Sequence, residues 1–491
     1  MSPALILACV GGYFAFLLLI AWFTSRNASN ASYFLGNKSS PWYAVAFGLI
    51  GDSLSGVTFI SVPGQVGAAK FSYLQMVLGY VVGYLVISTV LLPVYYRMNL
   101  TSIYSFLRER VGPAGQKMGS IFFLLSRLIG AAARLYLAVR VLQLFVFDAL
   151  KIPFAASVAL VIALILAYTY KGGIKTLVWT DTFQSSFLLL GVALSVIIIG
   201  QELGLGLGDI IERVRASELS QTFFWDWKPA NNFWKQFIGG AFVAICMTGL
   251  DQNMMQKNLS CRSLADAQKN INWFAIVVVF VNLLFLALGV LLYEFAQAKG
   301  VALPSKTDHL FPTLALQHLG PAAAIVFVLG LTAATFSSAD SVLTTLTTSF
   351  CIDILGMGRN AGESETRQTR TRHALHIAFA VALLGCILLI DAFNQDAVIS
   401  LILKVASFTY GPILGLFAFA LFFRRAVPQP WVVATCVLAP LVCWVLNQFS
   451  REWFAGYAFS NELLILNGAL TLGLLLVGSR RSSAMSAAAA V

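Results

Sequence analysis

The sequence predicts an all-α polytopic membrane protein, and three observations carry that expectation. Hydrophobic residues make up 59% of the 491-residue chain and charged residues 11%, with mean hydropathy +0.82, whereas soluble domains carry about 25% charged residues. Segments of the roughly 20 apolar residues needed to cross a hydrocarbon core recur along the whole chain. The short alternating strands of a membrane β-barrel are missing from the pattern.

About thirteen segments have that length, at 3–24, 42–69, 73–96, 117–147, 153–170, 174–200, 234–250, 270–297, 320–355, 373–391, 397–423, 429–448 and 459–478. The first is too long for a signal peptide and lacks a small-residue cleavage site, so it reads as a retained helix. In a soluble protein the net charge of +11 would suggest nucleic acid; here the positive-inside rule accounts for it, and no nucleic-acid partner is expected. If every segment crosses once, Arg97, Arg108, Arg110, Lys117, Lys171, Lys257, Arg262, Arg359, Arg367, Arg370, Arg372, Arg424, Arg425, Arg480 and Arg481 fall on one side. The N-terminus is then outside and the C-terminus cytoplasmic, in the plasma (inner) membrane. The stretch 201–233 becomes the longest external loop, over the outer mouth, and the tail Ser482–Val491 reads as disordered. The seven cysteines are odd in number and lie mostly in apolar runs, and His373 and His376 lack a third ligand. Neither a disulfide framework nor a metal centre of that kind is expected.

The 42–69 segment breaks the rules of a lipid-facing helix. Gly48, Gly51, Gly56, Pro63 and Gly64 interrupt it, and Asp52, Ser53, Ser55 and Thr58 make it polar. Backbone groups freed by such breaks go unsatisfied in lipid, so the segment must face protein or a water-filled cavity. Discontinuous helices near the midplane, with carbonyls free to hold a cation, mark secondary transporters; the plainer reading is a kink packed through small residues. The 234–250 segment carries Gly239-Gly240 and then Thr248-Gly-Leu-Asp251, a matching weak spot if segments two to six and seven to eleven are inverted halves.

In the 320–355 segment, Ala334, Ser337, Ser338, Ser341, Thr345 and Thr348 share one helical face. Such hydroxyls commonly bond their own carbonyls or hold helices together. Beside Ala334, Ser337 and Ser338 suit a hard cation such as sodium, which takes about five or six oxygens. Asp340 and Asp181 are intramembrane carboxylates, each costing about 2.5–3.5 kcal/mol to insert. Lys171 or Lys175 are candidate partners for Asp181. Arg127 and Arg134 stand two turns apart on one face and need either those carboxylates or an anionic solute; Arg140 lies nearer the external end, and Lys404 needs a partner or water.

Four stretches together resemble the sodium/solute symporter family of sodium–glucose, sodium–proline and sodium–sialic acid cotransporters. They are AATFSSADS with Asp353-Ile-Leu, YKGGIKTLVWTDTFQ, GLDQNMMQKNLSCRSLADAQK and SFTYGPILGLFAFALF, in family order over nearly the whole chain. The resemblance implies a LeuT-like 5+5 inverted repeat. The chain divides into a peripheral first helix and linker (1–40), a first repeat (41–200), the external loop (201–233), a second repeat (234–423) and two peripheral helices with the tail (424–491). It implies a central sodium site with carbonyls of Gly51, Leu54 and Ala334 and hydroxyls of Ser337 and Ser338. Some members hold a second sodium, whose ligands here would be Ser337, Asp181, Asp340 and Ser341; such members have Ser where this chain has Asp340. Asp52 also departs from the sugar-transporting members, although proline-like ones have a carboxylate nearby.

The expected function is sodium-coupled uptake of a small polar organic solute by alternating access, by a chain acting as a monomer in the lipid bilayer. Ser53, Ser55, Thr58, Gln75, Arg134 and Gln252 are the substrate-site candidates, and Arg134 admits a carboxylate-bearing or sugar-like solute. Alternatives are a proton-coupled carrier using Asp340, Asp181 or Asp52, and a transport-dead sensor, against which the lack of a signalling domain argues. An enzyme is not expected, since no nucleophile–base–orienter set stands out.

Overall fold

The computed structural model describes residues 3–25, 30–357, 364–393 and 398–481. The expectations for Arg359 and for the Ser482–Val491 tail lie outside them. The membrane helices, in chain order, begin with α1 (Pro3–Thr24), α2 (the bent pair Trp42–Ser53 and Gly56–Ala69), α3 (Ser72–Arg97) and α4 (Pro113–Leu142). There follow α5 (Phe154–Tyr170), α6 (Gly173–Glu202), α7 (the bent pair Phe233–Gly249 and Gln252–Asn258) and α8 (Leu264–Ala298). The rest are α9 (Gly320–Ile354), α10 (Glu365–Phe393), α11 (Val398–Phe422), α12 (Gln429–Gln448) and α13 (Glu462–Gly478). Each predicted segment falls on one of these. Among the described residues nine single helices and the two bent pairs are long and apolar enough to span, whereas α5 and α13 are shorter.

The two bent helices open the two predicted halves, α2 turning by 53° and α7 by 66°. In α2 the helix ends at Ser53, Leu54 leaves helical space (φ −98, ψ 69), and Ser55 is extended before the chain restarts at Gly56. Between α5 and α6 no loop intervenes: the helical run continues through a kink at Gly173 (φ 55, ψ −152). A Cβ there would lie 2.5 Å from the Cα of Tyr33, so glycine is required both for the torsion and for the close approach.

The α9 helix is the axis of the molecule. Its spanning window is 78% buried, against 22% for α1 and α10, which line the rim. A run of polar residues on α9 therefore faces protein on all sides. The α3 and α7 helices, one from each half, touch backbone to backbone: a Cβ on Gly79 would strike the Phe237 carbonyl, and one on Gly240 the Met76 carbonyl. Small residues permit such close packing where no hydrophobic effect separates helix from lipid.

Loops assigned to one side of the membrane meet one another. On the expected cytoplasmic side, Lys38 donates to Asn99, the Ser40 amide to the Ser260 carbonyl (3.0 Å), and Arg425–Ala426 pairs antiparallel with Arg480–Arg481. On the other side, Arg213 pairs with Glu294 (2.9 Å), and the Ala458 amide donates to the Lys228 carbonyl (3.4 Å).

Candidate functional site

The break in α2 supplies bare carbonyls. The Leu54 amide bonds back to Ile50 (2.8 Å), and the Phe59 amide bonds back to Ser55 (3.1 Å). Among the described residues no donor reaches the carbonyls of Gly51 through Leu54 from across the gap. Facing them is the polar stripe of α9. A Cβ on Gly51 would stand 2.7 Å from the Ser337 hydroxyl and 2.6 Å from that of Ser185. The hydroxyls of Ser338, Thr335 and Ser185 are buried with no hydrogen-bond partner among the described residues. Buried hydroxyls are otherwise almost always bonded. Unbonded hydroxyls and bare carbonyls together suit a small hard cation, which replaces its water with such oxygens.

The equivalent break in α7 is chemically closed. The Tyr95 hydroxyl donates to the Gly249 carbonyl (2.9 Å) and the Tyr104 hydroxyl to the Leu250 carbonyl (3.0 Å). Asp251 caps the next turn by accepting from the Met254 amide (3.1 Å). In α2, by contrast, none of the carbonyls from Gly51 to Leu54 has a partner among the described residues.

Beside the α2 break lies a cavity of ≈ 90 Å³ that includes Asp52, Ser53, Ser55, Thr58, Arg127 and Arg134 in its wall. Tyr73, Tyr80, Tyr84, Thr248 and Asn282 add further polar tips to an otherwise apolar lining. Arg127 is occupied: its Nε donates to Asp251 (2.5 Å) and its Nη2 to the Met247 carbonyl (2.9 Å). The Tyr410 hydroxyl also donates to Asp251, so α4, α7 and α11 are tied together along one wall. Arg134 is 8% exposed, and among the described residues it makes no ion pair. A vestibule of ≈ 450 Å³, lined by Gln65, Lys70, Asn231 and Lys404 among others, adjoins this cavity. Tyr73, Ile399 and Leu403 border both spaces and form the wall between them.

Of the substrate-site candidates, the structure brings Ser53, Ser55, Thr58 and Arg134 to the cavity and not Gln75 or Gln252. Gln75 donates to the Asn231 carbonyl (2.9 Å) and accepts from the Phe224 amide (3.2 Å), which anchors the 201–233 loop over the vestibule. Gln252 accepts from the Ile103 amide (2.8 Å) and donates to the Thr101 carbonyl (2.9 Å). Polarity and position in the chain had suggested both, yet their amides are spent on backbone.

The largest revision concerns Lys257. Its place after the 234–250 segment suggested a basic linker residue facing water. It is instead wholly buried, on the second arm of α7, with Nζ 2.6 Å from Asp52 and 2.6 Å from Asp181. Asp181 therefore pairs with Lys257 and not with Lys175; the Lys171 side chain lies outside the described set. The hydroxyls of Ser337 (3.0 Å) and Ser341 (3.4 Å) also donate to Asp181. Asp340 accepts from the Tyr168 hydroxyl (2.8 Å) and the Ser341 amide (2.5 Å), and among the described residues no arginine of α4 pairs with it. Two uncompensated intramembrane carboxylates were the available clue to a buried cation. The apolar period, however, ends before Lys257. Arg140 meets Asp391 at 3.6 Å at a half-exposed helix end. His376 lies between Thr169 (3.0 Å) and Thr347 (3.1 Å).

A broken-helix bundle with unpaired carbonyls facing buried hydroxyls defines a cation-coupled secondary transporter. The chain belongs to the sodium:solute symporter family, whose model matches residues 33–430. It is therefore a sodium-coupled secondary active transporter of a small polar solute. It is 23% identical over 468 residues to the sodium/sialic acid symporter NanT of Aliivibrio fischeri, covering 93% of this chain and 90% of that one. It is 25% identical to the sodium/sialic acid symporter SiaT of Proteus mirabilis, over 88% of this chain and 87% of that one. With sodium-coupled monocarboxylate transporter 1 of Homo sapiens it shares 26%, over 84% of this chain and 66% of that one. In fold it resembles a substrate-bound, outward-open Na+-coupled sialic acid symporter (TM-score 0.82, 20% identity, 97% of this chain and 99% of that one). It also resembles a nucleobase-cation-symport-1 family transporter in a closed conformation (TM-score 0.57, 15% identity, 92% and 94%). The LeuT-like arrangement of two inverted five-helix halves is thus the fold of this chain.

Proposed function

We propose that the chain imports a small carboxylate-bearing solute together with sodium. The observation that carries this reading is Arg134, a buried guanidinium in the wall of the cavity beside the α2 break, with no ion-pair partner among the described residues. A planar guanidinium matches a carboxylate in two parallel hydrogen bonds. Relatives named for sialic acid and for monocarboxylates agree with an acidic solute.

Sodium is held by the carbonyls of Gly51, Leu54 and Ala334 and the hydroxyls of Ser337 and Ser338. Closing these oxygens around the ion orders the α2 break, and Ser53, Ser55 and Thr58 on that break then meet the solute. Ordering one site by filling the other is positive coupling between them. The loaded halves rock inward, and the sodium concentration gradient drives the cycle. The N-terminus is external and the chain resides in the plasma membrane, as the basic loops favour.

The test is a thermal-shift screen of purified protein against small carboxylic acids and their amides, with sodium or potassium. A ligand of the folded state raises its stability. Acids should stabilise only with sodium, amides should not, and Arg134→Gln should abolish the shift. A response to amides equal to that of acids sinks the carboxylate reading, and a response indifferent to sodium sinks the coupling.

A further inference from the structure

The cation position next to Asp181 is filled by the protein itself. The ammonium of Lys257 lies 2.6 Å from the Asp181 carboxylate, and the hydroxyls of Ser337 and Ser341 converge on that same carboxylate. Ser337, Ser341 and Asp181 are, with Asp340, the side chains that the family resemblance implies for a second ion. Lysine and carboxylates are fully buried, with side chains 0% and at most 1% exposed, so water does not screen one positive charge from another there. An ammonium at hydrogen-bond distance and a metal ion on the same carboxylate oxygens would repel strongly. The lysine is also held from behind. Its carbonyl accepts from the Ser260 amide (3.1 Å) and hydroxyl (2.7 Å), and all seven residues of its helical arm are buried.

We infer that Lys257 takes the place of a second sodium, so that one sodium moves per solute; this rests on the sodium-coupled reading above. The lysine is a positioning residue with two contacts. Through Asp181 it fills the lower cation position. Through Asp52, next to Gly51 in the α2 break, it holds the strand of carbonyls that receives the remaining sodium. Its charge stays with the protein through the cycle. With a solute carrying one negative charge, the net charge moved is zero.

The experiment counts sodium-22 bound at saturation to the purified full-length chain. Wild type should bind one ion per chain. Lys257→Gln, which removes the charge, should bind two, and adding Asp181→Asn should return the count to one. Lys257→Arg keeps a cation and should stay at one. Two ions in the wild type overturn the inference while leaving sodium coupling intact, and this count does not depend on any variant folding. One ion in a folded Lys257→Gln variant also overturns it, since the lysine would then hold no ion's place. No bound sodium in the wild type overturns the sodium reading itself.

Discussion

Ser338 is the residue on which the ion site is most exposed to test. Ser338 is 2% exposed and its hydroxyl has no partner among the described residues, so removing it breaks no hydrogen bond there. Ser338→Ala should leave the melting temperature nearly unchanged without sodium and raise the half-saturating sodium concentration by about tenfold, the scale of one charge-assisted hydrogen bond of ~1.4 kcal/mol. Unchanged sodium dependence in a thermal-shift titration would falsify its role as a ligand. Arg127 makes a contrasting case, because it is engaged on both sides. Arg127→Ala leaves Asp251 buried beside Tyr410 without its cation, and should destabilise the fold by about 3–5 kcal/mol. Chemical denaturation in detergent with and without solute would show that loss in both conditions. Ser337, Ser338 and Asp181 were legible in sequence because polar residues at helical spacing inside an apolar run are conspicuous. Lys257 was not, because nothing local separates a lysine turned inward at a helix bend from one in a cytoplasmic loop. Only the pairing of residues far apart in the chain decides it.

At the scale of elements, the boundaries of the helices followed from apolar period and length, and so did the weak points in α2 and α7. What the pattern could not give was the different finish of the two breaks. The tyrosines that close α7 come from α3 and from the short helix Tyr104–Arg110, and their hydroxyls read in sequence as ordinary aromatic positions. The junction of α5 and α6 was likewise read as two segments, since Gly172-Gly173 looks like a linker, although one positive-φ glycine suffices to bend a continuous helix. Packing between α3 and α7 yields a sharper test. Gly240→Ala puts a methyl against the Met76 carbonyl, a backbone atom that cannot rotate away. Overpacking of this kind costs about 1–3 kcal/mol, and a melting curve should shift down accordingly, while Gly385→Ala on α10, with nothing within 4 Å, should not move it.

For the whole molecule, the test is sidedness. Ser305 and Glu109 are exposed in connections assigned to opposite faces, Glu109 on the short helix Tyr104–Arg110. In a background without native cysteines, an impermeant maleimide applied to intact cells should label Ser305→Cys and spare Glu109→Cys; the reverse result would invert the orientation. The mutual contacts of loops on each face are those expected if every helix crosses once: a skipped span in α2 or α3 would strand Lys38 from Asn99, and one among α7 to α12 would strand Lys228 from Ala458. The two inverted halves also invite the expectation that each would carry the same chemistry, and here they do not. Hydroxyl and carboxylate groups cap the α7 break, while the α2 break keeps bare carbonyls that face the α9 hydroxyls of the other half. A pseudo-symmetric scaffold has in this way been given a polarity: one break is left open toward the opposite half, and the other is locked by side chains from its neighbours.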